Sequence, residues 1–179
     1  EQYRISGVIH SAAIVNERMA RKQPLEAVRA NTLGTGNVLE VARRCALQRV
    51  LYTSSSTVYG RREDGRVISE DEVAPEGVYG ETKYLGERLV RLYRRTYGLN
   101  TVVVRVSSAY GPGKVWHPER TNSPIYRLAW EASRGTRHTV TAGSYHRDFT
   151  YVSDTAAGIC LAFQAPQLRS CVYNISGGV

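Results

Sequence analysis

The sequence predicts an α/β fold, a parallel sheet with helices packed on both of its faces. Two observations carry this. Short apolar runs alternate with amphipathic helical stretches along the chain, the pattern of βαβ units with right-handed crossovers. In addition, residues 101–108, TVVVRVSS, are β-branched almost without a break, as expected of a strand covered on both faces.

The elements follow in order. Residues 5–10, ISGVIH, read as a short buried strand. Residues 24–45 read as one amphipathic helix, with Pro24 near its start and Leu25, Val28, Leu33, Val38, Leu39 and Val41 at helical spacing. Residues 49–55, RVLYTSS, form a second strand that ends in hydroxyls. A polar loop leads to a long helix over residues 79–97, closed by Gly98 as a left-handed cap. The third strand is 101–108. A looser stretch precedes a helix near 124–135, a short strand at 138–143, a helix at 154–165 and a last strand at 171–176. No internal repeat, low-complexity tract or linker divides the chain.

At 179 residues the chain suits a single domain. Lysine and arginine number 24 against 16 acidic residues, a formal charge of +8. Such a balance points to an anionic partner, nucleic acid or a phosphorylated small molecule. The arginines are dispersed and not interleaved with aromatics, which argues for the small molecule and against nucleic acid. The densest set, Arg88, Arg91, Arg94 and Arg95, reads as a solvated helix face beside the apolar stripe Leu85, Leu89 and Leu92. The three cysteines are odd in number and widely spaced, so neither a disulfide framework nor a zinc site is expected, and a reducing, cytoplasmic setting follows. No metal-ligand spacing appears. No apolar run approaches the roughly 20 residues of a membrane-spanning helix, and the start has no signal-peptide pattern.

In open α/β sheets, ligands bind beyond the carboxyl ends of the strands. That rule selects His10–Ala13, Ser54–Ser56 and Ser107–Tyr110. Directly after the second of these comes VYGETK, with Tyr79 and Lys83 one helical turn apart. A tyrosine serves as general acid/base only when its pKa of about 10 falls toward neutrality. A nearby ammonium favours the phenolate, and a strand-end serine can hold the substrate oxygen. His10 reads as a satisfied strand-end histidine.

Seven blocks in succession, VIHSAA, NTLGTGNVLEVARR, SSSTVYG, VYGETK, VRVSSAYGPG, RDFTYVSD and VYNISGG, resemble the extended short-chain dehydrogenase/reductases, which include nucleotide-sugar epimerases and dehydratases. The resemblance implies a three-layer Rossmann-type domain that binds NAD or NADP, NAD being favoured. It makes Ser55, Tyr79 and Lys83 catalytic, with Lys83 also binding the nicotinamide ribose and lowering the Tyr79 pKa. Ser11, Ala12, Ala13, Asn31, Ser54 and Val106, together with Tyr79 and Lys83, fall at cofactor positions, and Ser56, Ser108 and Arg147 at substrate positions. Asn31 reads equally well as an ordering residue of the site or as a solvated helix position. A homodimer built on the Tyr-Lys and Asn-bearing helices is implied as well.

The departures shape the expectation. The glycine fingerprint between the first strand and first helix is absent, and LGTGN (33–37) imitates it inside a helical pattern, where Gly34 and Gly36 read as packing positions. By resemblance, residues 1–179 are a partial dinucleotide-binding domain without its N-terminal strands, followed from about residue 111 by the start of a substrate-binding region. Such a segment alone is expected to be inactive. Ser108 stands where the family usually has asparagine. Ser56 and Thr57 stand where the dehydratases carry an Asp-Glu pair, which argues against 4,6-dehydration. The expected activity is epimerisation of a sugar-nucleotide-like alcohol by hydride transfer. The alternatives are a dehydrogenase or reductase of a smaller substrate, and a non-catalytic nucleotide-binding protein of the same fold.

Overall fold

The structure is a computed structural model, and it describes residues 4–61, 67–113, 124–137 and 147–178. Four strands form a parallel sheet: β1 (Gly7–His10), β2 (Arg49–Ser55), β3 (Thr101–Val106) and β6 (Val172–Ile175), in the order β1-β2-β3-β6. β2 and β3 occupy the centre, and their register sets Val50 against Thr101 and Ser55 against Val106. A second, two-stranded parallel sheet joins β4 (Ser108–Tyr110) to β5 (Phe149–Tyr151).

The alternation of side chains along β2 divides the core. Val50 and Tyr52 face one side, where they pack with Leu39, Ala42, Val90, Val103 and Val172. The helices covering that side are α3 (Gly34–Arg44) and α4 (Gly77–Tyr97). Leu51 faces the other side with Val102 and Val104, under Ile159, Ala162 and Phe163 of α6 (Val152–Gln164). The expected three layers are present, and the central strands are buried on both faces as their composition requires. None of the described helices is long and apolar enough to cross a membrane.

Several boundaries differ from the sequence reading. β1 is an edge strand rather than a buried one, and Ile9 is 41% exposed. A short helix, α1 (Glu17–Lys22), precedes Pro24; its polar sequence gives little periodic signal, but the Asn16 side chain caps it by accepting from the Met19 N–H. The helix expected over 24–45 is three pieces: α2 (Pro24–Val28), a π-helical turn (Arg29–Leu33) and α3. The third strand breaks at Ser107, whose N–H donates to Ile175 O while its hydroxyl meets that of Thr150. Ser108 therefore opens β4 in the smaller sheet. A further helix, α5, spans Pro124–Ser133. The strand expected at 138–143 lies outside the described residues.

α4 runs 21 residues and ends where expected, at Gly98, whose φ of 67 gives the left-handed cap. Gly86 explains how closely it lies on the sheet. A Cβ there would come within 2.7 Å of Tyr52 Cζ, so the absence of a side chain lets the tyrosine ring stand against the helix backbone. Gly36 plays a milder part between α3 and α4, with Leu89 3.8 Å from the place of its Cβ. LGTGN thus lies at a helix–helix contact, as its sequence setting implied, and not at a strand-to-helix turn.

Candidate active site

The carboxyl ends of β1, β2 and β3 converge with the first two turns of α4. Ser55 is the last residue of β2; it is buried, and its hydroxyl accepts from the Thr57 N–H. That bond starts a 3₁₀ turn over Ser56–Tyr59, which swings the chain away from the sheet. Tyr79, in the first turn of α4, is half-buried, and its phenol lies near enough to the Ser55 hydroxyl for that group to lower its pKa. One turn on, Lys83 is buried with its Nζ 4.4 Å from the centre of the Tyr52 ring. Ser55 at the end of β2, and Tyr79 and Lys83 on the first two turns of α4, thus lie on the same side of the sheet.

The electrostatics differ from the sequence expectation in one respect. Burial pushes the Tyr79 phenol up, and the nearby Ser55 hydroxyl opposes it. Lys83 is not what sets that balance. Its own ammonium is pushed down to about 8, by burial first and against the attraction of Glu87. A lysine held over an aromatic face and out of water loosens its own proton before it can stabilise a neighbour's phenolate. Among the described residues its N–H groups find no acceptor.

The β1 side is held by Asn31. Its Oδ1 accepts from Ile14 N–H at 2.8 Å, and its Nδ2 donates to Ile14 O and to the Thr82 hydroxyl. Asn31 is 1% exposed, so of its two open readings the solvated one fails. The π turn places this amide toward α4, and it pins the chain just after Ser11, Ala12 and Ala13. Ser11 shares a hydrogen bond with Thr53, and Ala12 is exposed. His10 is buried and bonds the Thr35 hydroxyl through Nε2, with burial and then Lys83 lowering its pKa.

Val106 lies beside Ser55 in the sheet register. Ser54 turns into a buried network that the sequence reading missed, donating to Glu87 Oε1 at 2.6 Å. Arg105 grips the same carboxylate with two bonds of 2.9 and 2.7 Å, and donates to Tyr59 Oη and Glu70 O. Tyr59 continues the chain to Asn174 on β6. The signal was available: an arginine inside an apolar central strand needs a buried partner, and Glu87 sits one turn beyond Lys83.

The substrate positions are more open. Ser56 is exposed on the 3₁₀ turn, and Arg147 is exposed ahead of β5. Ser108 N–H donates to Asp148 O, and Ser108 pairs with Phe149, so Ser108 and Arg147 flank the same small sheet.

A parallel α/β sheet with a serine, a tyrosine and a lysine gathered at its carboxyl edge defines a short-chain dehydrogenase type of site. Comparison with known proteins gives the family. The model of the NAD dependent epimerase/dehydratase family matches residues 1–176, and the chain belongs to that family. A UDP-glucuronate 4-epimerase from Thermodesulfobacterium geofontis is 31% identical, over 99% of this chain and 53% of its own length. A dTDP-glucose 4,6-dehydratase from Streptomyces niveus is also 31% identical, over 96% of this chain and 49% of its own. The chain spans about half the length of the curated relatives it matches. Among solved structures, the UDP-glucose 4-epimerase of Thermus thermophilus in complex with NAD superposes with a TM-score of 0.85 at 27% identity, covering 98% of this chain and 57% of that one. The UDP-glucuronic acid 4-epimerase of Bacillus cereus in complex with NAD gives 0.85 at 29% identity, with 98% and 54% covered.

Proposed function

We propose that this chain supplies the catalytic part of an NAD-dependent sugar-nucleotide 4-epimerase. The observation that carries the reading is the placement of Ser55 at the end of β2 beside Tyr79, with Lys83 one turn on along α4 and over the Tyr52 ring. The residues fit a nicotinamide ribose. A lysine ammonium with no acceptor among the described residues stands near a strand end followed by Ser11 and two alanines. Hydroxyl groups arriving there would complete the donors, and small side chains leave the backbone approachable. Lys83 would hold the ribose hydroxyls, with Ser11–Ala13 and Val106 lining the approach. When bound, the cofactor supplies an acceptor for the hydride.

The rest is proton management by this chain. Ser55 holds the substrate oxygen by a hydrogen bond, and Tyr79 takes or returns that oxygen's proton. With the phenol raised by burial, Tyr79 rests protonated, ready to donate. It becomes a base only when positive charge gathers beside it. Arg147, exposed, suits a substrate diphosphate through charge-assisted hydrogen bonds. Ser56 and Ser108 line the sugar side. The protein acts as a homodimer through the outer faces of α3 and α4.

The test is turnover of UDP-glucose and UDP-glucuronic acid with NAD by the epimerase of which this chain would be the catalytic part, followed by NMR of the sugar. Tyr79→Phe is expected to lower turnover by about a hundred- to ten-thousandfold, the usual worth of a general acid/base, while the NAD dissociation constant moves less than about twofold. Equal turnover in the variant and the wild type refutes the assignment.

A further inference from the structure

α4 begins without a cap of its own. Glu76, at the cap position, makes no side-chain bond to the helix, and Gly77 has no side chain to offer. The first N–H groups of a helix lack intrahelical acceptors, and a carboxylate near them is doubly favoured, as acceptor and as negative charge. Here the carboxylate comes from another helix. Glu17 of α1 accepts from Tyr79 N–H through Oε2 at 2.8 Å and from Val78 N–H through Oε1 at 3.1 Å. Gly77 has a φ of 73, and a Cβ on it would lie 2.5 Å from Glu17 Cδ. The glycine's missing side chain is the space that Glu17 fills.

We propose that Glu17 is a positioning residue for Tyr79: its carboxylate, delivered from α1, replaces the local cap that Gly77 cannot provide and fixes the first turn of α4. Tyr79 belongs to that first turn, and Glu17 binds its own backbone N–H, so any fraying there moves the phenol away from Ser55. Glu17 also stands on the stretch of chain that continues from Ser11–Ala13, which Asn31 clamps at Ile14. The loop expected to line the cofactor and the helix carrying the acid/base are thereby joined through one carboxylate. The inference rests on Tyr79 being the acid/base of the proposed reaction.

The experiment compares Glu17→Ala, Gly77→Asn and the double variant with the wild type. Amide hydrogen exchange at Val78 and Tyr79 reads the cap. The carbon NMR resonance of Tyr79 Cζ, assigned with Tyr79→Phe, reads the placement of the phenol beside Ser55. Glu17→Ala should lose about tenfold in protection at both amides, as a lost cap would give. Its Cζ resonance should shift, and kcat should fall about tenfold or more while KM stays within about twofold, as for a displaced acid/base. Gly77→Asn should show the same losses, because its side chain displaces Glu17. The double variant should recover both, since asparagine tolerates left-handed backbone and caps helices. Unchanged amides in Glu17→Ala overturn the cap. Exposed amides with an unmoved resonance and unmoved kcat overturn the positioning role, and a double variant no better than the singles overturns the replacement of a local cap. The exchange and resonance measurements need no substrate. They decide the proposal even where the wild type fails to turn over sugar nucleotides, an outcome that would retire the proposed function instead.

Discussion

Lys83 concentrates the conflict between stability and function. It is 3% exposed, and burial holds its ammonium down to about 8. Its unfolded value lies near about 10.4, so between the two the unfolded chain binds the extra proton. Stability contributed through Lys83 therefore rises as the pH climbs from about 8 toward about 10, and below about 8 the full burial penalty is present. The phenol of Tyr79 runs the other way. Its folded value is raised, so its contribution is intact below about 10 and is lost as the pH rises further. Lys83→Met keeps the side chain's length and removes the charge. It should stabilise the protein near pH ~7 by up to about 3 kcal/mol, an order of magnitude from the pKa displacement, and the gain should shrink toward pH ~10. Turnover should be lost. Urea midpoints of the two proteins across this range check it, and a variant less stable at neutrality contradicts it. The site was legible here because strand-end hydroxyls and a Tyr-x-x-x-Lys spacing are local. Glu17 was not, because its partners are 61 and 62 residues away and no local pattern marks a cap shared between helices.

At the scale of elements, α4 works as a ruler laid on β2. Tyr52 of β2 stands under it, its hydroxyl donating to Lys83 O, with the Lys83 ammonium over its ring. The helix comes this near because Gly86 yields the room. Gly86→Ala should push ring and helix apart and cost about 1–3 kcal/mol, the usual penalty of overpacking. At roughly 2–4 °C per kcal/mol for a chain of this size, the Tm should drop by several degrees. Turnover should fall with it, since Lys83 rides on the displaced ring. Calorimetry beside the kinetic assay reads both, and an unchanged Tm means that Tyr52 has another place to go. The long helix and its Gly98 cap were plain in the sequence because twenty-odd residues of periodicity and a closing glycine are strong local signals. The π turn was hidden. Its apolar positions, Val28 and Leu33, fit an ordinary helix, and the burial of Asn31 depends on Ile14 and Thr82, which only the fold brings near. The break at Ser107 was hidden for the same reason, as the chain passes there from its bond to Ile175 of the main sheet to Thr150 of the smaller one.

The whole molecule carries an asymmetry that bears on assembly. The inner faces of α3 and α4 are in the core, yet the outer faces of these helices and of the π turn before α3 keep large apolar side chains in water. Leu33 is 59% exposed and Val41 58%, with Leu85 at 41% and Leu92 at 40%. Leu89, the third leucine of the α4 stripe, packs instead against the core, so the sheet claims one member and leaves two outside. Leu85, Arg88, Leu92 and Arg95 recur at intervals of three and four and share a helix face. A two-fold axis through that face would bury the leucines of both copies against each other. It would also bring the arginines of one copy near those of the other. Apolar contact then drives association while like charges oppose it, and salt screens the opposition. The expected outcome is a dimer in sedimentation that tightens as salt is raised. Leu85→Asp combined with Leu92→Asp should leave a folded monomer, since both positions are exposed within the single chain. A monomeric wild type, or a dimer indifferent to that double substitution, would remove this face from the assembly.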